Sequence, residues 1–211
     1  MKTGGRSKAP VGTSPAALTK ATDGRFERSR SSRAKIVAAM LALVADGDVQ
    51  PSAAKVAEMA KVGLRTVFRH FDDMESLYRE MSELIEAKVH PTMFKPYRAE
   101  HWRDRVRELA ARRVEVFETI LPYRISASLK RFQSAFLMQN YRRMLRLERE
   151  SIEAIVPEAL LADTVQLNVL HVTLNFQCWR LLRHDQELSV ADARAVFLRL
   201  VDAALAQIAL E

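Results

Sequence analysis

Residues 51–74 read PSAAKVAEMAKVGLRTVFRHFDDM, and this stretch decides the fold. Ser52 is suited to cap a helix, and Ala53, Val56, Ala57 and Ala60 then recur at the spacing of one helical face. Lys61-Val62-Gly63 makes a turn. The next helix, about Leu64–Phe71, is expected to bury Leu64, Val67 and Phe71. At about 100° per residue, Arg69 falls nearly opposite that face, with Arg65 and Thr66 beside it and Phe68 and His70 on its flanks. Two helices this short need a third to pack on. SRAKIVAAMLALVAD, residues 32–46, supplies it: a helix over about Ser31–Ala45, with Ile36, Val37, Met40, Leu41 and Val44 at helical spacing. Asp46-Gly47-Asp48 ends that helix, glycine tolerating the left-handed conformation beyond it. A three-helix unit whose last helix is cationic describes a helix-turn-helix DNA reader.

The charge lies beside this unit. The chain of 211 residues carries a formal net charge of +7. Residues 1–35 hold nine bases against Asp23 and Glu27, so they carry the whole of it. A basic arm next to a reader helix suits a polyanion, because each neutralised phosphate releases a counterion. Residues 1–27 have little apolar content and no periodicity, and are expected to be disordered; their other reading is a solubilising tail. Arg28, Arg30, Arg33 and Lys35, at the entrance to the first helix, are expected at phosphates.

Downstream the pattern stays helical. Asp72 or Asp73 caps a fourth helix that carries Met74, Leu77, Tyr78, Met81, Leu84 and Ile85 toward Val89 and should stop at His90-Pro91. Further helices are predicted over His101–Ile120, interrupted by Leu121-Pro122, then Leu129–Ile155, Leu161–His184 and Ser189–Leu210. The fold class is all-α, in three parts: a basic arm at 1–27, a DNA-binding unit at 28–75, and a helical bundle at 76–211. The last two helices are the most apolar, and the penultimate one is apolar on more than one side. A terminal hairpin of that kind is half of a symmetric four-helix dimer interface, with Leu174, Leu181, Val196, Phe197, Leu200 and Ala204 expected at the contact.

Trp102, Phe117, Tyr123, Phe132, Phe136, Tyr141, Met144 and Trp179 either line a cavity between helices or fill the core. His171, Asn175 and Cys178, spaced four and three, fall near one face of the penultimate helix and read as interface or pocket polarity, since no carboxylate on that face would orient the histidine. The arginine-rich runs, including Arg112-Arg113 and Arg142-Arg143, are interleaved with acids such as Glu108, Glu115 and Glu148, and read as solvated faces with local ion pairs. One cysteine excludes an intramolecular disulfide framework and a cysteine-based zinc site, and fits a reducing cytoplasm. No run approaches the ~20 apolar residues of a membrane span, and the first twenty residues lack a signal-peptide core. Neither a catalytic constellation, a metal site nor a cofactor motif stands out, so the protein is not expected to be an enzyme.

The segment from about Arg28 to Met81 resembles the tetracycline-repressor (TetR) family of transcriptional regulators. VAEMAKVGLRTVFRHF stands where the family usually has an Ala-rich helix, a Gly-Val turn, a Thr, an aromatic and a closing Phe, and DDMESLYREM matches its fourth-helix opening. Four positions depart from the pattern. Lys61 stands where the turn glycine is usual, Gly63 replaces a Ser cap, Phe68 replaces a Tyr, and Met74 stands where a Lys is common. The resemblance implies a homodimeric repressor on a palindromic double-stranded operator, released by a small, largely apolar effector. Arg65 and Arg69 would then meet base edges, a guanidinium being able to bridge guanine O6 and N7. Thr66 would meet a thymine methyl or phosphate, His70 a phosphate, and Ser52, Gly63, Leu64 and Phe68 complete the contact surface. Two alternatives stay open: a regulator of this fold controlled by a partner protein, and an enzyme using the helix-turn-helix as a packing module.

Overall fold

The computed structural model describes residues 15–209, and every regular element among them is helical. Three helices open the chain: α1 (Pro15–Ala45), α2 (Ala53–Met59) and α3 (Leu64–His70). Ser52 caps α2, its side chain accepting from the Lys55 amide at 3.3 Å. Gly47 adopts φ 95° after α1, as expected of a glycine that ends a helix. Lys61, standing where a turn glycine is usual, takes a left-handed φ of 54°, a conformation that costs a residue with a Cβ. One expectation is corrected: α1 begins at Pro15, not at Ser31. Proline is well suited to a helix's first position, and the Ala16-Ala17-Leu18 that follows is strong in helix propensity though it lacks amphipathic period. The segment expected to be disordered is thus helical from Pro15 onward, and residues 1–14 lie outside the described residues.

The rest comprises α4 (Met74–Met93), α5 (Trp102–Lys130), α6 (Ala135–Glu153), α7 (Glu158–Ala162), α8 (Thr164–Thr173), α9 (Phe176–Arg180) running into one π-helical turn (Leu181–Asp185), and α10 (Val190–Ala206). Asp73 caps α4 by accepting from the Ser76 amide at 2.7 Å. Two prolines do not act as the predicted breaks. Pro91 sits in the last turn of α4, where Val89 and Met93 pack onto the bundle core and hold the helix on to Met93. Pro122 lies inside α5, which stays helical because both of its halves are buried, Phe117 and Ile120 before it and Ser126 after it. The chain turns instead at residues 131–133, and Ser134 caps α6, so the expected start at Leu129 falls within α5.

The penultimate helix, expected to run unbroken over Leu161–His184, is divided. Asp163 caps α8 and Asn175, in extended conformation, caps α9 by accepting from the Gln177 amide at 2.8 Å. A break inside a bundle exposes backbone groups that need partners. Arg113 Nη1 donates to the Leu174 carbonyl at 2.7 Å, and the Phe176 amide donates to Glu148 Oε2 at 3.2 Å.

Two cores result. One joins α1–α4 through Ile36, Met40, Val56, Val67, Phe71, Leu77, Tyr78 and Met81, with Leu137 of α6 added; the other fills the bundle around Leu109, Phe117, Phe176, Trp179, Phe197 and Val201. Ile85 packs against both. Because Leu77, Tyr78 and Met81 belong to the first core, that core reaches beyond the expected boundary at residue 75. The halves also meet through polar contacts. Tyr78 Oη and Ser126 Oγ lie 2.8 Å apart and buried, Ser134 donates to Glu75, and the Arg79 guanidinium stands 4.0 Å from the centre of the Phe136 ring.

Candidate functional site

The outer face of α3 is built by exclusion. Val67 and Phe71 point into the first core, which leaves Arg65, Phe68 and Arg69 exposed on the opposite side, with Thr66 half-buried between. Phe68 is 50% exposed, a large apolar ring in water on the flank of the arginine face. Gly63 caps α3 without a side-chain bond, its carbonyl accepting from the Thr66 amide at 2.7 Å. Leu64 is 45% exposed rather than buried. It occupies the first position of α3, and Val67 and Phe71, further along, supply the buried face.

Two expected phosphate contacts are placed otherwise. Arg33 is exposed but already engaged: its Nε donates to Glu80 at 2.6 Å, its Nη1 to the His70 carbonyl at 2.6 Å, and its guanidinium stacks on Phe71 at 4.4 Å. It therefore ties α1 to the C-terminal end of α3 and to α4, where a cation also complements the helix dipole. His70 has a buried Nε2 with no partner. Burial, then the nearby Arg69 and Arg33, push its pKa below the ordinary histidine value, which disfavours the charged form. Arg30 and Lys35 are exposed as expected; Ser52 is exposed, with its side chain engaged in capping α2. The side chain of Arg28 lies outside the described residues.

In the bundle, the aromatic residues expected to line an apolar cavity are largely core. Phe117 meets Phe176 and Phe197 edge-on at 5.5 and 6.4 Å, and Trp179 meets Phe197 at 5.8 Å. Trp179 Nε1 donates to Glu118 at 3.1 Å, the partner a buried indole needs. Phe132 is 77% exposed in the α5–α6 turn, where Arg131 lies over both its ring and that of Tyr141. Tyr123 and Phe136 pack on the first core instead. Trp102 and Cys178 pack on the bundle core, and burial raises the Cys178 thiol pKa. Met144 is half-buried on α6.

His171 and Asn175 do line a recess of about 180 Å³, together with Leu145, Glu148 and Arg149. Glu148 and Arg113, read from sequence as solvated, are buried. The missed signal is positional. Arg113 stands on the stripe Val106, Leu109, Ala110, Phe117 and Ile120, where a core residue belongs. Burial pushes its pKa down to about 10, which leaves it charged at neutral pH.

The last helices leave a second apolar face. Val165 and Val172 are 73% and 72% exposed, and Val169 lies between them on the same side of α8, opposite the buried Leu167, Leu170 and Leu174. Leu181, Val196 and Leu200 are likewise exposed, which suits their expected place at a contact. Leu174, Phe197 and Ala204 are not available to a partner, because they fill the protomer's own core.

Helices α1–α4 with a bundle of this order define a known architecture. A TetR transcriptional regulator from Rhodococcus sp. RHA1 is similar in structure, with a TM-score of 0.53 at 16% identity, covering 86% of this chain and 98% of that one. The fold is the TetR fold. No protein-family model and no curated protein matches the sequence. No helix among the described residues is long and apolar enough to cross a membrane.

Proposed function

We propose that this protein is a transcriptional repressor of the TetR type, acting in the cytoplasm as a homodimer on a palindromic operator and released by a small effector bound in the helical half. The observation that carries the reading is the outer face of α3, where Arg65 and Arg69 stand exposed and, among the described residues, hydrogen-bond to nothing else. Guanidinium groups free in this way suit guanine edges in a major groove, and Phe68 beside them suits a thymine methyl. Arg30 and Lys35 serve the backbone, which positions without specifying. The exposed stripe Val165, Val169 and Val172, with Leu181, Val196 and Leu200, supports a second copy of the chain as its cover, since a monomer rarely leaves contiguous apolar surface in water. In such a dimer the two α3 helices would stand about 34–36 Å apart, one turn of B-DNA. Selection from a random duplex pool tests this: the protein should enrich inverted repeats with half-sites about one turn apart. Enrichment of no sequence would favour the packing-module alternative, and a unique site unmoved by any small molecule would favour control by a partner protein.

A further inference from the structure

The recess between α6 and α8 has a chemistry that its five lining residues make specific. The acceptors of Glu148 are already used. Glu148 Oε1 takes Arg124 at 2.5 Å, Oε2 takes Asn175 Nδ2 at 2.8 Å and the Phe176 amide at 3.2 Å, and the Glu148 carbonyl takes Arg113. What remains unpaired around it are nitrogens: Arg113 Nε, Arg124 Nη2 and both ring nitrogens of His171 are buried without partners. The charges are uneven too. Arg124 is paired with Glu148 and Arg149 with Glu153 at 2.7 Å, whereas Arg113 donates only to carbonyls and to Ser151 Oγ. Glu148 offsets Arg113 as well, so three guanidinium groups stand against two carboxylates, which leaves a positive balance beside the recess that favours an anion. The volume is that of about six waters, and Leu145 supplies an apolar wall.

We propose that this recess binds a small organic acid, with its carboxylate toward His171 and Arg149 and its hydrocarbon part on Leu145. This rests on the reading above only in making the acid the effector, in place of the largely apolar molecule that the sequence resemblance implies. The route outward is short in chain terms. The recess takes Leu145, Glu148 and Arg149 from α6, and the first turn of the same helix places Ser134 against Glu75 and Leu137 in the DNA-binding core. An acid that reorders the Glu148 shell therefore acts on a rigid element that both halves share.

The test is titration calorimetry on the full chain with benzoate, benzamide and inorganic phosphate, and on His171→Ala, a half-buried position outside both cores. Benzoate should bind at least tenfold tighter than benzamide and than phosphate, and His171→Ala should lose at least tenfold of that affinity. In the unaltered chain, the ring ¹⁵N resonances of His171 should move on adding benzoate, which keeps the test valid should the variant misfold. Equal binding of the amide or of phosphate, no heat from benzoate, acetate or butyrate at millimolar concentration, or unmoved His171 resonances would overturn the proposal. Operator binding is measured separately: benzoate binding without any DNA binding would sink the repressor reading and leave this site standing, and the reverse result would do the opposite.

Discussion

Among the described residues, the core of α1–α4 encloses no charged side chain, whereas the core of the bundle closes over Arg113 and Glu148. In the first, the starts of α2 and α4 are capped locally, by Ser52 three residues from Lys55 and Asp73 three from Ser76, and only the end of α3 draws on another helix, through Arg33. In the second, the ends at the α8–α9 break are satisfied by groups far along the chain, Arg113 from α5 and Glu148 from α6. Local satisfaction gives a unit whose shape depends little on its surroundings, which suits the proposed fit of α3 to a DNA groove. Satisfaction at a distance couples three helices through one buried pair, which suits a region whose state changes with what it binds.

The largest effect that would break this contrast is at Glu148. Glu148→Ala strands Arg124, the Asn175 side-chain amide and the Phe176 amide at once, and should cost about 3–5 kcal/mol of stability, read as a lowered denaturation midpoint. A loss under ~1 kcal/mol would mean the break holds itself. Next comes the apolar face: Leu200→Asp should weaken dimerisation by about 2–4 kcal/mol while the protomer keeps its helical circular dichroism. Phe197→Asp, one helical turn away but in the protomer core, should abolish folding instead. Sedimentation of both variants separates the two roles. Ser52→Ala in the α1–α4 unit should cost only about 1 kcal/mol, because one local cap is lost and no distant group is stranded.

The smallest effect is with pH. Burial lowers the pKa of His70, so the unfolded chain binds its proton at a higher pH than the fold does. Stability from this source is complete above the ordinary histidine value of 6.5 and declines as pH falls below it. Denaturation midpoints of the chain and of His70→Gln should converge as pH is lowered from neutrality; parallel lines would deny the shift.

This contrast also governs what could be read in advance. The turn at Lys61, the caps Ser52 and Asp73 and the burial of Val67 and Phe71 follow from neighbours in sequence, and the structure has them where periodicity and capping put them. The division at Asn175 does not follow from local pattern, because the groups that stabilise it lie on other helices. Pro122 misled for the same reason: its local tendency to break a helix is overridden by burial on either side. Arg33 and His70 were legible as neighbours of α3, but the contacts that tie Arg33 to Phe71, Glu80 and the His70 carbonyl were not, because those partners lie on other elements. His171 and Asn175 were legible as a polar pair on one face; the shell of Glu148 behind them was not.

The central claim is that sequence is read by the outer face of α3. Fluorescence anisotropy should be measured on the selected duplex and on a scrambled one, for the unaltered chain and for the double variant Arg65→Ala, Arg69→Ala. Each bidentate arginine is worth about 1–3 kcal/mol of discrimination, so the double variant should bind both duplexes with nearly equal affinity while keeping the salt dependence that its remaining bases confer. A double variant that still prefers the selected duplex by the same factor would contradict the account.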